Sequence, residues 1–227
     1  MIIVTGASGG IGSELLEGLI EIDKVIGIYN SRPPKKNSNS KIAFSKVNLV
    51  SVENINKFVK DNEKILKNIT IIHCAVIKVD SPVFNFKETD WEKIININIK
   101  ANFFLTKALL PFMIKNSWGR IIHISSVAGY QGALGTIPYG LSKTALTGLS
   151  RGLAKEYAKF NITSNVLELG YFNCGLFNSL SELIKKQLLS QIPSRKLGSI
   201  KNIINCIRFL IESEYVNGAK INIDGGI

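Results

Sequence analysis

Residues 2–21 read IIVTGASGGIGSELLEGLIE, and this stretch decides the fold. Its first three residues are apolar and β-branched, which predicts a short buried strand. A glycine cluster follows, and apolar side chains then recur at helical spacing, which predicts an amphipathic helix. A strand, a glycine turn and a helix in this order form the first half of a βαβ unit. The stretch therefore predicts an α/β protein with a parallel sheet.

The glycine turn is also a candidate binding site. Gly6, Gly10 and Gly12 would let the backbone approach the pyrophosphate of a dinucleotide and place it at the N-terminus of the helix. Their spacing, T-G-x-x-x-G-x-G, differs from the G-x-G-x-x-G pattern, and the alternative is a tight turn without a ligand. If a dinucleotide binds, we expect contacts from Gly6, Ser8, Gly9, Gly10, Ile11 and Gly12.

Short β-branched runs alternate with longer amphipathic stretches along the rest of the chain. This alternation predicts seven strands, at residues 2–5, 25–29, 42–47, 69–74, 120–125, 163–167 and 219–223. It predicts helices at residues 12–21, 52–62, 89–116, 139–160, 181–191 and 200–213. The expected fold is a single-domain, Rossmann-type, doubly wound parallel sheet of seven strands with helices on both faces, spanning residues 1–227.

The composition excludes several classes of protein. The chain is 45% hydrophobic and 20% charged, as soluble globular domains are, and no apolar run approaches the roughly 18 residues that span a bilayer. The formal net charge is +11, but the basic residues are scattered, which argues against a nucleic-acid partner. Cys74, Cys174 and Cys206 are odd in number and lie outside metal-ligand spacing. We therefore expect free thiols, no metal site and a cytoplasmic protein.

Three polar residues in the middle of the chain suggest a reaction. Tyr139 and Lys143 stand one helical turn apart and share a helix face, so the ammonium can stabilise a phenolate and bring the pKa of the tyrosine down from about 10. Ser126 is expected at the end of the preceding strand, where its hydroxyl can hold a substrate oxygen beside the phenol. With a dinucleotide on the glycine turn, the chemistry is carbonyl reduction or its reverse.

The end of the second strand bears on which dinucleotide binds. A carboxylate there would bond the adenosine ribose and repel a 2′-phosphate, whereas this chain has Asn30, Ser31 and Arg32. We therefore expect NADPH rather than NADH, with the Arg32 guanidinium on the phosphate; the alternative is that Arg32 is a solvated loop residue. After the third strand, Asn48 and its neighbour Leu49 are expected beside the adenine, although Asn48 can equally be a turn residue.

The sequence as a whole resembles the short-chain dehydrogenase/reductase family, and in particular its 3-oxoacyl-(acyl-carrier-protein) reductases. The resemblance runs almost end to end. It rests on the glycine turn at 5–12, the run from Asp90-Trp91 to Asn98, the strand GRIIHISS at 119–126 and the Y-x-x-S-K pattern at 139–143. The closing segments at 192–198 and 217–226 are also similar to those of the family.

The resemblance implies a catalytic tetrad of Asn98, Ser126, Tyr139 and Lys143. In it, Tyr139 protonates the carbonyl oxygen, Ser126 orients that oxygen, Lys143 binds the nicotinamide ribose and Asn98 holds a water that connects Lys143 to solvent. Further cofactor contacts implied by the resemblance are Cys74, Ala75 and Val76 after the fourth strand and Gly170 and Phe172 after the sixth. It also implies a homo-oligomer, a dimer or a tetramer, formed through the two long helices.

Three positions depart from the pattern of the family. Val76 stands where a glycine is common, Leu169 replaces a proline, and Cys174 occupies a position that often carries threonine. These departures motivate a second hypothesis, a non-catalytic nucleotide-binding protein with a regulatory or assembly role. The first hypothesis is an NADPH-dependent reductase of a 3-oxoacyl thioester or another small oxo compound. In that enzyme, residues 171–195 are a candidate lid over the substrate, with an ordinary surface helical insertion as the alternative.

Overall fold

Seven parallel strands form one sheet in the order β3-β2-β1-β4-β5-β6-β7. The structure, a computed structural model, describes residues 1–34 and 39–227, apart from the side chains of Leu176 and Ser179. The strands are β1 (Ile2–Thr5), β2 (Val25–Tyr29), β3 (Ile42–Lys46), β4 (Ile69–His73), β5 (Gly119–Ser126), β6 (Ile162–Leu169) and β7 (Lys220–Ile223). The predicted seven-stranded parallel sheet is confirmed.

Helices cover both faces of this sheet. The α-helices are α1 (Gly10–Leu19), α2 (Val52–Asn62), α3 (Glu88–Ile95), α4 (Ala101–Lys115), α5 (Ala128–Gln131), α6 (Ile137–Tyr157), α7 (Glu182–Gln191) and α8 (Ile200–Glu212). Apolar side chains of α1 and α8 form one buried cluster with the sheet, and those of α2, α4 and α6 form the other. The central strands are buried on both faces, which is why apolar β-branched residues dominate β1 and β4 and recur in β5.

The strand order indicates where on the sheet a ligand would bind. From β1 the chain winds outward through β2 to β3, and it then returns to the other side of β1 as β4. The connections leaving β1 and β4 therefore diverge to opposite sides of the sheet, and the crevice between them opens at the carboxyl ends of the strands. In open α/β sheets, ligands bind at this switch point.

The helix predicted at 89–116 is interrupted by a π-helical segment, Asn96–Lys100, between α3 and α4. Its widened turn is seen where the amide of Ala101 bonds the carbonyl of Asn96. One extra residue in a turn leaves the apolar periodicity nearly unchanged, so the sequence did not indicate it. Such segments occur often at functional sites, and this one contains Asn98. The short helix α5 and the 3₁₀ turn Gly175–Ser179 were not predicted either.

By length and composition alone, the helical run Glu88–Lys115 is apolar enough to cross a membrane. The sequence patterns did not indicate this. In the structure, however, Leu105, Leu109 and Met113 of this run are fully buried in the cluster beneath the sheet. Core packing therefore explains its apolar composition.

Candidate active site

A cleft of about 890 Å³ opens at the carboxyl ends of the strands. Sixteen of the eighteen predicted cofactor contacts line this cleft: Gly6, Ser8, Gly9, Gly10, Ile11, Gly12, Asn30, Ser31, Leu49, Cys74, Ala75, Val76, Tyr139, Lys143, Gly170 and Phe172. Ser126 lines it as well. The two predicted contacts outside the lining are Arg32 and Asn48, and the predicted tetrad member Asn98 also lies outside it.

The glycine turn packs so closely on protein backbone that side chains would not fit at two of its positions. Gly6 has φ +68°, and a Cβ there would lie 2.8 Å from the Cα of Ala75. A Cβ on Gly12 would lie 2.2 Å from the carbonyl oxygen of Gly6. No side chain caps the start of α1, so its first amides remain directed at the cleft. This cradle fits the pyrophosphate of a dinucleotide.

Thr5 fixes the opposite wall of the cradle, a role that the sequence did not indicate. Its hydroxyl oxygen accepts hydrogen bonds from the amides of Cys74, at 2.9 Å, and Ala75, at 3.0 Å. The loop after β4 is thereby tied to the end of β1. Val76 follows in this loop and is 41% exposed. Its φ is not positive, so a β-branched residue is accommodated there, and the departure from glycine places a side chain in the cleft wall, which narrows the cleft.

Several of the predicted cofactor contacts lie at or beside the adenine end of the cleft. Asn30 and Ser31 line it, and Arg32 is exposed beside it. Asn48 is a turn residue: its side-chain oxygen accepts a hydrogen bond from the amide of Val50 at 3.1 Å. Leu49, which is buried, contributes apolar surface to the lining, and an adenine contact of Asn48 stays a prediction.

Ser126, Tyr139 and Lys143 meet on one wall of the cleft. Ser126 ends β5, and Tyr139 and Lys143 lie one turn apart at the start of α6. Tyr139 is 7% exposed and Lys143 is 5% exposed. The ammonium nitrogen of Lys143 lies 5.7 Å from the centre of the Tyr139 ring and donates a hydrogen bond of 2.8 Å to the carbonyl of Ile124. The three side chains are thus held in a shared, largely dry site.

The pKa of Tyr139 is shifted in the direction opposite to the prediction. Burial raises it above 10.0, contact with the Ser126 hydroxyl opposes that rise, and the charges of Cys74 and Asp80 raise it further. Desolvation thus outweighs any stabilisation of the phenolate by the neighbouring ammonium. The phenol is therefore protonated at neutral pH, the state that a proton donor requires.

Lys143 itself titrates unusually. Burial lowers its pKa from 10.5 to about 8, and the thiolate of Cys74, when formed, would raise it. The same burial raises the pKa of the Cys74 thiol to about 12, so that this cysteine stays protonated. A lysine poised near working pH is typical of functional sites.

Asn98 joins two elements of the site through its side chain, and the water contact that the resemblance implies for it stays a prediction. Its amide nitrogen donates to the carbonyl of Ile77, at 3.0 Å, and to the hydroxyl of Ser142, at 2.9 Å, which uses both of its protons. Its amide oxygen accepts from the amide of Ile77 at 2.9 Å. The side chain therefore ties the loop after β4 to α6.

The segment after β6 closes over the cleft. Gly170 and Phe172 line it, and Phe172 pairs with Gly198 in an isolated bridge. The backbone of Gly175 packs on the start of α1, where a Cβ on Gly10 would lie 2.0 Å from its Cα. Beyond it, Phe177, Leu180, Ile184 and Leu188 give the cleft an apolar wall.

Glu168 precedes this segment, near the end of β6. In the structure its side chain is 4% exposed and forms a salt bridge of 3.0 Å with Lys220 on β7. It is therefore a buried ion-pair partner and not part of the cleft lining.

Two charged residues of the cleft were missed from the sequence. Lys78 and Asp80 line it and form a salt bridge of 2.6 Å. The sequence offered only their position in the loop after β4. Within residues 1–34 and 39–227, no group of three or more His, Cys, Asp or Glu side chains could hold a metal ion.

Comparisons with known proteins agree with this geometry. The family described as short chain dehydrogenase matches residues 1–184. The chain is 32% identical to the 3-oxoacyl-(acyl-carrier-protein) reductase of Buchnera aphidicola subsp. Baizongia pistaciae, over 99% of this chain and 96% of the relative. It is 31% identical to the reductase of the same name from Aquifex aeolicus, over 99% and 96%.

The fold is also that of a solved structure. The crystal structure of a short chain dehydrogenase from Leptospira borgpetersenii with bound NAD+ superposes with a TM-score of 0.90 at 22% identity, covering 99% of this chain and 91% of that one. This likeness concerns the fold. The family match and the full-length relatives together show that the chain belongs to the short-chain dehydrogenase/reductase family, whose members are oxidoreductases that act with a nicotinamide cofactor.

Proposed function

We propose that this protein reduces a ketone to an alcohol with NADPH, and that Tyr139 is the proton donor. The observation that carries the proposal is that Ser126, Tyr139 and Lys143 line the same cleft as the glycine cradle. A hydride donor held on the cradle and a substrate beside the phenol would then share one dry site. The protonated state of Tyr139 favours the reductive direction at neutral pH.

The residues of the cleft divide into two groups. The amides at the start of α1, with Gly6 and Gly12, would hold the pyrophosphate, while Gly170 and Phe172 would lie by the nicotinamide. A bound reduced nicotinamide supplies the hydride that the carbonyl carbon receives. Ser126 orients the carbonyl oxygen by a hydrogen bond, and Tyr139 gives that oxygen its phenolic proton. The Lys143 ammonium stabilises the phenolate that remains.

The substrate that fits best is a 3-oxoacyl thioester, with another small oxo compound as the wider class. The lid side of the cleft is apolar, with Phe177, Leu180 and Leu188 available to an acyl chain. Two full-length relatives are named for this activity. The net charge of +11 would favour an acidic carrier protein as the bearer of the substrate.

The same proposal includes the organisation of the chain. Residues 1–227 would act as one dinucleotide-binding domain, with 171–195 as the substrate lid; the packing of Gly175 on Gly10 brings this segment to the cofactor site. The protein would be cytoplasmic, without a nucleic-acid or membrane partner. We also propose a homo-oligomer, a dimer or tetramer, because α4 presents Phe103 to solvent with 46% of its surface exposed.

A substrate panel tests the proposal. We expect NADPH oxidation with acetoacetyl thioesters, monitored at the absorbance of the reduced nicotinamide, and slower or no oxidation with diketones and keto-sugars. A protein that binds NADPH but oxidises it with no member of the panel would instead be the non-catalytic nucleotide-binding protein. Val76, Leu169 and Cys174, the departures that motivate that alternative, all line the cleft.

The preference for NADPH rests on the end of β2. No carboxylate lies among Asn30, Ser31 and Arg32, and Lys46 is the register partner of Tyr29 on the neighbouring strand. Arg32 and Lys46 would thus offer two cations to a 2′-phosphate bound beside Ser31. Charge-assisted hydrogen bonds to this phosphate would favour the binding of NADPH over that of NADH.

We expect Arg32→Asp to weaken NADPH binding by about tenfold and to leave NADH binding nearly unchanged. The reason is that the substitution replaces an attraction to the 2′-phosphate by a repulsion. Dissociation constants from nicotinamide fluorescence measure the effect. Lys64→Asp changes the net charge equally at an exposed site in the turn Glu63–Ile65 and serves as the control. Equal NADPH affinity in the Arg32 variant and the wild type would remove Arg32 from the site.

A further inference from the structure

Two stacked histidines lie beneath the candidate active site. His73 and His123 are register partners on β4 and β5, and their ring centres are 5.0 Å apart with planes inclined by 6°. They are 3% and 0% exposed. Burial lowers the pKa of both, to about 3 for His123, so both rings are neutral at physiological pH. A neutral imidazole has one donor and one acceptor nitrogen.

The neighbours of His123 decide which nitrogen carries its proton. The main-chain oxygen of Asn98 can only accept, so the 3.0 Å bond to it is donated by the amide nitrogen of Asn102. The amide oxygen of Asn102 then faces Nδ1 of His123 at 3.2 Å, and because that oxygen also only accepts, Nδ1 is protonated. Nε2 is thus the acceptor nitrogen, and it lies 3.3 Å from the hydroxyl of Ser164, which also contacts the hydroxyl of Ser150 at 3.1 Å. A directed chain of hydrogen bonds therefore runs from His123 through Asn102 to the carbonyl of Asn98.

Asn98 connects this chain of hydrogen bonds to the active site. Its side chain holds the backbone of Ile77 by two hydrogen bonds and the hydroxyl of Ser142 by a third. Ser142 in turn donates to the carbonyl of Tyr139 at 2.7 Å. A shift of Asn98 would therefore move both the loop after β4 and the first turn of α6.

We propose that His123 is a positioning residue: through Asn102 it holds Asn98 in place, and through Asn98 it sets the position of Tyr139. His123 does not line the cleft, so it acts without contact with substrate or cofactor. Its effect on turnover rests on the proposed function. Its effect on the order of the backbone does not.

His73 provides a matched control. It lies in the same register and in the same stack, and it is nearly as buried, but its Nε2 meets the hydroxyl of Thr106 at 2.8 Å. Thr106 lies one turn beyond Asn102 on α4. In the described part of the chain, no side-chain hydrogen bond continues from this contact to Asn98. Replacing either histidine by leucine removes a buried imidazole, but only the replacement of His123 breaks the chain to Asn98.

We expect His123→Leu to lower kcat by about 10- to 100-fold, because small displacements of reacting groups have effects of this size. The NADPH dissociation constant and KM should change less than kcat does, although the loop after β4 lines the cleft. His123→Asn should recover most of the loss, since its amide nitrogen can donate to Asn102 from nearly the position of Nδ1. His73→Leu should keep a kcat close to the wild type at a similar melting temperature. Equal losses of kcat in the two leucine variants, or no rescue by asparagine, would overturn the proposal.

Amide hydrogen exchange separates this proposal from the proposed function. His123→Leu should expose the amide of Ile77 and the segment Asn96–Lys100 to faster exchange, and His73→Leu should not. If that difference appears in a protein without Tyr139-dependent turnover, the positioning role stands and the reductase assignment fails. If His123→Leu does not fold, Asn102→Ala is the second variant, because it removes the same link to Asn98 and leaves His123 in place. Wild-type exchange at Ile77 in a folded variant of either kind would overturn the positioning role.

Discussion

Tyr139→Phe is expected to lower kcat for carbonyl reduction by roughly 10³-fold, because the substitution removes the proton that the developing alkoxide needs. The phenol is buried, and burial raises its pKa, so in the wild type it is present as the protonated donor at neutral pH. Phenylalanine keeps the ring and therefore the packing at this site. Steady-state rates with an acetoacetyl thioester measure the loss, and NADPH titration should give an unchanged dissociation constant.

Tyr157→Phe is the matched control for this result. Tyr157 ends the same helix, α6, and is partly buried in the cluster beneath the sheet, away from the cleft. Its variant should turn over at the wild-type rate. A Tyr139→Phe protein that keeps more than about a tenth of the wild-type kcat would show that another group or a water supplies the proton.

Sequence patterns were sufficient for the fold because its central strands are buried on both faces. Such strands are rich in β-branched residues, as the isoleucines of Ile69–His73 and Gly119–Ser126 show, and the stretches between them are too long for hairpins. The glycine turn could also be predicted, since Gly6 and Gly12 have no room for a Cβ. Steric constraints of this kind restrict the residue type at a position, so they can be recognised in the sequence.

Electrostatic properties and tertiary contacts of the site could not be predicted from the sequence in the same way. The spacing of Tyr139 and Lys143 indicated a cation beside a phenol, but the direction of the tyrosine pKa depends on how much water the folded site excludes. Arg32 and Asn48 follow the correct strands, yet neither is among the lining residues: Arg32 is exposed beside the cleft, and Asn48 bonds the amide of Val50. The link from His123 to Asn98 joins residues from three elements, so adjacency in the sequence could not indicate it.

Lys143→Met is expected to lower kcat by roughly 10²-fold or more and at the same time to raise the melting temperature. Activity falls because the phenolate left on Tyr139 loses its cation. Stability rises because a buried ammonium is replaced by an apolar side chain of similar length, by about 2–4 °C for each kcal/mol of desolvation relieved. Lys155→Met removes an exposed lysine from the same helix and should change neither quantity. Rate assays and thermal melts on the two variants measure both effects.

The pH dependence assigns both effects to the same ammonium. Lys143 has a pKa of about 8 in the folded protein and 10.5 when exposed, so between these values the unfolded chain binds more protons and the free energy of unfolding rises with pH. The stability advantage of Lys143→Met should accordingly be largest below pH 8 and shrink toward pH 10.5. Over the same range, kcat/KM of the wild type should fall above about pH 8, because this ratio reports titration in the free enzyme and Tyr139 keeps its proton to higher pH. A flat kcat/KM profile through pH 10, or a stability difference independent of pH, would contradict the assignment of this titration to Lys143.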